Sequence, residues 1–337
     1  MEGKEVETAL VIETISSELV EQVTDGDDKV LLRKQVLALP GKSRLALVRK
    51  HLPVGPTRAP VMLVHGFAQN RYSWHTSRRS MSAWLAQRGF DVYNLELRGH
   101  GRSRGDARAE RFADYVEDLV RAMRALDEPP FLVGHSLGAT VCYAAATEAT
   151  ARGVVGIGGV YVFARRNATL RTLARLMHAS PSLGALQIRT KVAGEIIGRL
   201  YGLSDSLGYA FPISGWWPGS IEPEILAERL SVGFDWTSLT VWNEMCRWSA
   251  TGAFDYDDAW RSLDTPLLVV LGDKDVLVPP DDGRLAFDRS GSRDKSLEIF
   301  DDFTHDTHWG HLDLVLGRRA PTHVWPHVSS WMEERGG

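Results

Sequence analysis

Five residues, Gly134-His135-Ser136-Leu137-Gly138, separate a short apolar run, Phe131-Leu132-Val133, from an alanine-rich helix former over 139–146. This placement constrains the fold more than any other feature of the chain. A strand that turns at once into a helix puts the serine on a sharp bend. Glycine two positions to either side lets strand and helix approach where side chains would clash. The bend lifts the hydroxyl to the carboxyl end of a sheet, where open α/β sheets hold their ligands. The helix N-terminus behind it favours developing negative charge. A serine serving only as helix cap would account for Ser136, but not for both glycines together with the strand and the helix.

The surrounding pattern agrees. Val61-Met62-Leu63-Val64 is a continuous apolar run suited to a strand buried on both faces. Trp74, Met81, Trp84 and Leu85 mark a helix closed by Gly89, and Phe90 to Leu97 reads as a strand. Phe112, Tyr115, Val116, Leu119, Met123 and Leu126 form a helical stripe that stops before Pro129-Pro130. The strand pattern returns at 265–271 and 296–300, and a last helix is predicted from Pro326 to Glu334. This alternation implies an α/β fold with a mostly parallel central sheet flanked by helices. Upstream, Val30–Leu39 and Arg44–His51, split by Pro40-Gly41, predict strand-turn-strand. Val11, Ile15, Leu19 and Val20 recur at near-helical spacing and predict a short amphipathic helix.

Between Tyr161 and Thr265 no buried-strand run occurs, and helical patches carry Trp216, Trp217, Trp236, Trp242, Trp248 and Trp260. The expected organisation is therefore an acidic N-terminal segment over 1–30, a first half of the core over 31–164, a helical cap or lid over 165–260, and a second half over 261–337. The formal net charge of −4 gives no basic footprint for nucleic acid. Two cysteines, Cys142 and Cys246, make no disulfide framework and no zinc motif. No signal-peptide pattern and no uncharged apolar run long enough for a bilayer is present. A cytoplasmic location is expected.

A serine hydroxyl needs a base, and the base an orienting carboxylate. With this elbow the chain order is serine, then acid, then histidine. Past the strand ending at Leu271 come Asp273 and Asp275, two acids at the same rim as Ser136. Later come His305, His308 and His311. Their alternation with carboxylates hints at metal, but no HExxH helix or second cluster accompanies it. Oxyanion donors would be the N–H groups of Leu137, after the serine, and Phe67, in the turn His65-Gly66-Phe67-Ala68. His65 precedes the serine and reads as a brace for that turn. Arg98-Gly99-His100-Gly101-Arg102-Ser103 reads as a glycine-built turn held by arginine hydrogen bonds.

These segments resemble the α/β-hydrolase superfamily, most closely its lipase/esterase and thioesterase-like branch, over most of residues 38–333. The resemblance rests on His65-Gly66-Phe67 to Trp74, on Arg98 to Ser103, and on the set around Ser136. Within it, Gly272 to Pro279 matches the acid loop with Asp275 as acid. Gly310-His311-Leu312-Asp313 matches the base loop with His311 as base, and Asp313 is a candidate support for that loop. The stretch to Gly317 and Val324-Trp325-Pro326 is also similar to polyhydroxyalkanoate synthases, whose nucleophile is cysteine where this chain has Ser136. Dehalogenases and epoxide hydrolases of the fold resemble an aspartate-nucleophile design instead.

The resemblance implies a serine hydrolase acting on carboxylic esters or thioesters, with no metal and no organic cofactor. The tryptophan-rich insertion favours a small-molecule substrate with an apolar acyl chain or aromatic group. An acyltransferase or amide hydrolase would use the same three residues, and a non-catalytic binding protein would need none of them.

Overall fold

The structure is a computed structural model that describes residues 12–41, 43–55, 57–105, 108–162, 171–172, 215–235 and 238–337. Among them, nine strands form one sheet in the order β1-β2-β3-β5-β4-β6-β7-β8-β9. The strands are β1 Glu13–Asp25, β2 Asp28–Leu39, β3 Leu45–His51, β4 Pro60–Val64, β5 Asp91–Glu96, β6 Phe131–His135, β7 Gly153–Ile157, β8 Leu267–Gly272 and β9 Lys295–Phe300. From β5 through β9 every pairing is parallel. β1, β2 and β3 are added antiparallel at the β5 edge.

The central strands are buried on both faces, which is why they read as unbroken apolar runs. Along β4, Val61 and Leu63 pack with Leu85 of helix α1 (Met81–Gln87) and with Trp325 of the last helix. Met62 and Val64 point the other way, toward Leu119 of α2 (Phe112–Arg124) and Val141 of α3 (Leu137–Ala146). The alternation of side chains along a strand thus feeds two separate apolar layers.

In the described part of the expected insertion lie α4 (Pro223–Val232), α5 (Leu239–Thr251) and α6 (Asp257–Ser262). Residues 163–170 and 173–214, and Trp236 with Thr237, lie outside the described residues. After β8 come α7 (Pro280–Gly283) and α8 (Leu285–Arg289), then α9 (Asp313–Leu316) and α10 (Val324–Glu333) beyond β9. No helix among the described residues is long and apolar enough to cross a membrane.

Two expectations are corrected. The N-terminal helix is instead β1, paired with β2 along its length through a turn where Gly26 takes φ +58°. Ile15 and Leu19 stand exposed on it rather than packed on a core. Their spacing of four is close to one helical turn but also two strand repeats, so the period could not separate the states. Trp74 is not helical: it follows the 3-10 turn Arg71–Ser73 and is fully buried before α1 begins at Met81. β7 was not anticipated. A side chain at its Gly153 would strike the Trp331 ring, and one at Gly156 the Tyr143 hydroxyl. Both cysteines are buried and unpaired.

Candidate active site

Ser136 stands between β6 and α3 with φ +58° and ψ −125°. A non-glycine residue with this backbone is strained and persists only where its surroundings fix it. Its N–H donates to the Ile157 carbonyl at 3.0 Å, and its own carbonyl accepts from Ala139 N–H at 3.1 Å. A Cβ on Gly134 would overlap the backbone of Gly138 and Ala139, and one on Gly138 the carbonyls of Val64 and His65. Both flanking glycines are therefore sterically required, as the sequence predicts. Ser136 is half-buried, unlike its fully buried neighbours His135 and Leu137.

The turn after β4 packs directly on this bend. A Cβ on Gly66 would come within 2.9 Å of the Ser136 Cβ. Ala68 sits at φ +56°, and the half-buried Phe67 ring lies 5.5 Å from that of Trp242 on α5. His65 accepts Leu97 N–H on Nε2 (3.2 Å), so its Nδ1–H donates to the Gly66 carbonyl (3.0 Å). Burial holds the His65 imidazole well below its usual range, with His100 acting in the same sense. It is a neutral ring tying the turn to the end of β5. Leu137 begins α3, in the first turn where helix amides lack intrahelical acceptors.

At the adjoining strand ends, His311 Nδ1 donates to Asp275 Oδ2 at 2.6 Å. Asp275 Oδ1 accepts from Leu277 N–H (2.9 Å) and Val278 N–H (2.8 Å). The carboxylate is thus held by three donors, and both side chains are buried. Gly158 lines this pair at φ +53°, and a Cβ there would approach His311 Nδ1 to 3.0 Å. The Gly158 backbone follows Ile157, whose carbonyl receives Ser136 N–H, so one loop touches both the serine bend and the histidine–aspartate pair.

The rival residues pair with each other. His308 Nδ1 lies 2.6 Å from Asp273 Oδ2, and Asp273 Oδ1 accepts Trp309 N–H. Asp302 adds an oxygen 3.3 Å from His308 Nδ1. Asp273, Asp302 and His308 thus bring three potential metal-ligand atoms together. His305 sits apart, 3.3 Å from Glu298. Asp313 is buried and accepts from Gly310 N–H (2.5 Å) and Trp217 N–H (2.8 Å), and its other oxygen lies 2.6 Å from the Ser220 hydroxyl. Arg98 turns back to Asp118 and Glu117, each at 2.8 Å, and Gly99 and Gly101 take positive φ, matching the expected arginine-held turn.

One residue the motif leaves unspecified is engaged here. His135 Nε2 donates to the His311 carbonyl at 3.1 Å, and the two rings lie 4.5 Å apart. Burial holds His135 well below its ordinary range, and His311 opposes its charging. Spacing could not have signalled it, because position x of G-x-S-x-G accepts many residues.

This arrangement defines a class, a mostly parallel α/β sheet with a strained serine elbow and a buried histidine–aspartate pair joined to it through the Ile157–Gly158 loop. Residues 61–322 match the family model described as "Alpha/beta hydrolase family", and the chain belongs to that family. A monoacylglycerol lipase from Mycolicibacterium smegmatis is 26% identical over 295 residues, covering 82% of this chain and 88% of that protein. A poly(3-hydroxyalkanoate) polymerase subunit from Haloferax mediterranei is 23% identical, covering 82% and 59%. Among solved structures, a Paleococcus ferrophilus monoacylglycerol lipase superposes with a TM-score of 0.61 at 18% identity, covering 86% of this chain and 99% of that one.

Proposed function

We propose that this chain is a serine hydrolase that cleaves carboxylic esters or thioesters through an acyl-enzyme on Ser136. The buried His311–Asp275 pair beside the strained Ser136 elbow carries this reading. His311 Nε2 takes the Ser136 proton as Oγ attacks the carbonyl carbon. The Phe67 and Leu137 N–H groups receive the oxyanion. Asp275 fixes the imidazole with Nδ1 protonated and stabilises the imidazolium. His311 then protonates the departing alcohol or thiol. Water repeats the sequence in reverse and frees the acid.

The cap over 165–260 would shape the acyl pocket. Trp242 packed beside Phe67 supports an apolar acyl chain or aromatic group, in keeping with the lipases among the relatives. A fluorophosphonate should label the wild-type chain and leave Ser136→Ala unlabelled. Equal labelling of the variant would overturn the assignment.

A further inference from the structure

Away from the Ser136 rim, a cavity of about 170 Å³ lies among β2, β3, β5 and the Arg71–His75 segment. Lys34, Lys50, Arg71 and Arg102 line it, together with Tyr72 and Asn94. Glu18 pairs with Lys34 at 2.9 Å and Glu96 with Arg71 at 3.0 Å. Four basic side chains against two carboxylates leave an excess of basic groups around one void. Lys50 is 2% exposed, and among the described residues its ammonium bonds only the Ser82 hydroxyl, at 2.8 Å. The Arg102 guanidinium has no carboxylate partner among the described residues either, although its backbone N–H donates to Glu96.

This is an unfavourable way to build a sheet. Lys34 and Lys50 stand directly opposite each other across β2 and β3, where like charges destabilise the pairing. A buried ammonium without a counter-ion is among the least favourable groups to take from water. Burial holds Lys50 well below its ordinary range, and Lys34 and Arg71 push the same way. Burial, with Lys50, Arg71 and Lys34, lowers His75 to about 2. The wall also carries buried polar atoms that find no partner among the described residues, His75 Nδ1 and Asn94 Oδ1. The Asn94 amide, turned end for end, would offer N–H₂ to the cavity. Tyr72 accepts from Arg71 Nη2 at 3.2 Å, which leaves its own hydroxyl proton to donate.

We propose that this cavity binds a phosphate group, free or carried by a small molecule, between Lys50, Arg71 and Lys34. A tetrahedral dianion matches both the charge excess and donors that converge from several directions, as a flat monocarboxylate does not. Arg71 directly follows the Phe67–Asn70 turn, and Glu96 receives both Arg71 and Arg102 N–H groups. A bound phosphate would therefore brace that turn from behind, at a site separate from the acyl chemistry.

The test is calorimetric titration of the full chain with inorganic phosphate in phosphate-free, low-salt buffer at neutral pH, with thermal melting alongside. Saturable 1:1 binding and a raised melting temperature are expected. Lys50→Met, which removes a buried charge at similar volume, should fold and bind at least about tenfold more weakly. The exposed Arg102→Gln gives a second variant, expected to weaken binding severalfold, should Lys50→Met fail to fold. Ser136→Ala should bind phosphate like the wild type, so a failed hydrolase assignment would leave this result standing. Phosphatidylcholine vesicles carrying phosphatidic acid form a second arm. Capture by these vesicles that phosphate reverses assigns the group to a lipid headgroup, and its absence alongside phosphate binding assigns a free phosphate. No saturable phosphate binding, or equal binding in the wild type and both lysine and arginine variants, overturns the proposal.

Discussion

Two aspartate–histidine pairs, Asp275–His311 and Asp273–His308, join the same two loops at the same Nδ1-to-oxygen distance of 2.6 Å. Their surroundings differ. Asp275 and His311 are 3% and 2% exposed, and the second oxygen of Asp275 is fixed by two backbone amides. The His308 side chain is 25% exposed and shares its Nδ1 between Asp273 and Asp302. Its ring stands edge-on to Trp217. A short bond therefore does not distinguish a proposed base from a surface pair. Exclusion of water does, because it strengthens the pair electrostatically and leaves the ring one orientation.

The largest expected effect separates the histidines. On a nitrophenyl ester, His311→Ala should lower kcat by about 10⁵–10⁶-fold. His308→Ala should cost less than about tenfold, since it removes only a partly solvated pair. The opposite ranking would transfer the role of base to His308. The aspartates give a smaller contrast. Asp275→Asn should lower kcat by about 10⁴-fold through loss of the correct tautomer. Asp273→Asn should leave kcat within about tenfold, because the carboxamide oxygen can still accept Trp309 N–H. Similar losses in both aspartate variants would break the distinction between the pairs.

How far these pairs could be read from sequence follows from their chemistry. The Ser136 elbow was legible because two glycines, a buried strand and a helix all express one steric requirement. The central strands were legible because burial on both faces leaves unbroken apolar runs. Asp273 and Asp275 both fall just past β8, so composition and spacing could not rank them, and only the family resemblance favoured Asp275. β7 stayed hidden because its glycines serve packing against Trp331 and Tyr143, side chains remote in sequence. β1 was misread because Ile15 and Leu19 face solvent while Val20 packs against the core, so their common spacing marked no single buried face. His135 was invisible because its partner is a backbone carbonyl 176 residues away.

Asp313 ties the base loop to the Trp217–Ser220 segment of the insertion and gives the smallest effect on turnover. The Ser220 hydroxyl lies 2.6 Å from both the Trp217 carbonyl and Asp313 Oδ1, yet it has one proton to give. If that proton goes to Trp217, a protonated Asp313 can donate to Ser220, and the network closes. Burial raises the Asp313 carboxyl to about 7, against the opposing Ser220, Trp217 and Gly310 donors, with Asp275 adding to the rise. Its ordinary value is 3.8, so between 3.8 and about 7 the folded state holds a proton that the unfolded chain has released. That contribution to stability is complete below 3.8, declines as pH rises through this window, and is gone above about 7. Asp313→Asn carries a neutral side chain at every pH. Urea unfolding across the window should therefore show a steeper loss of stability with rising pH in the wild type than in Asp313→Asn. Because Asp313 holds Gly310 N–H and not the His311 ring, kcat of the variant should stay within about tenfold. Parallel stability profiles would mean that Asp313 is ionised throughout, with the Ser220 proton directed to it instead of to Trp217.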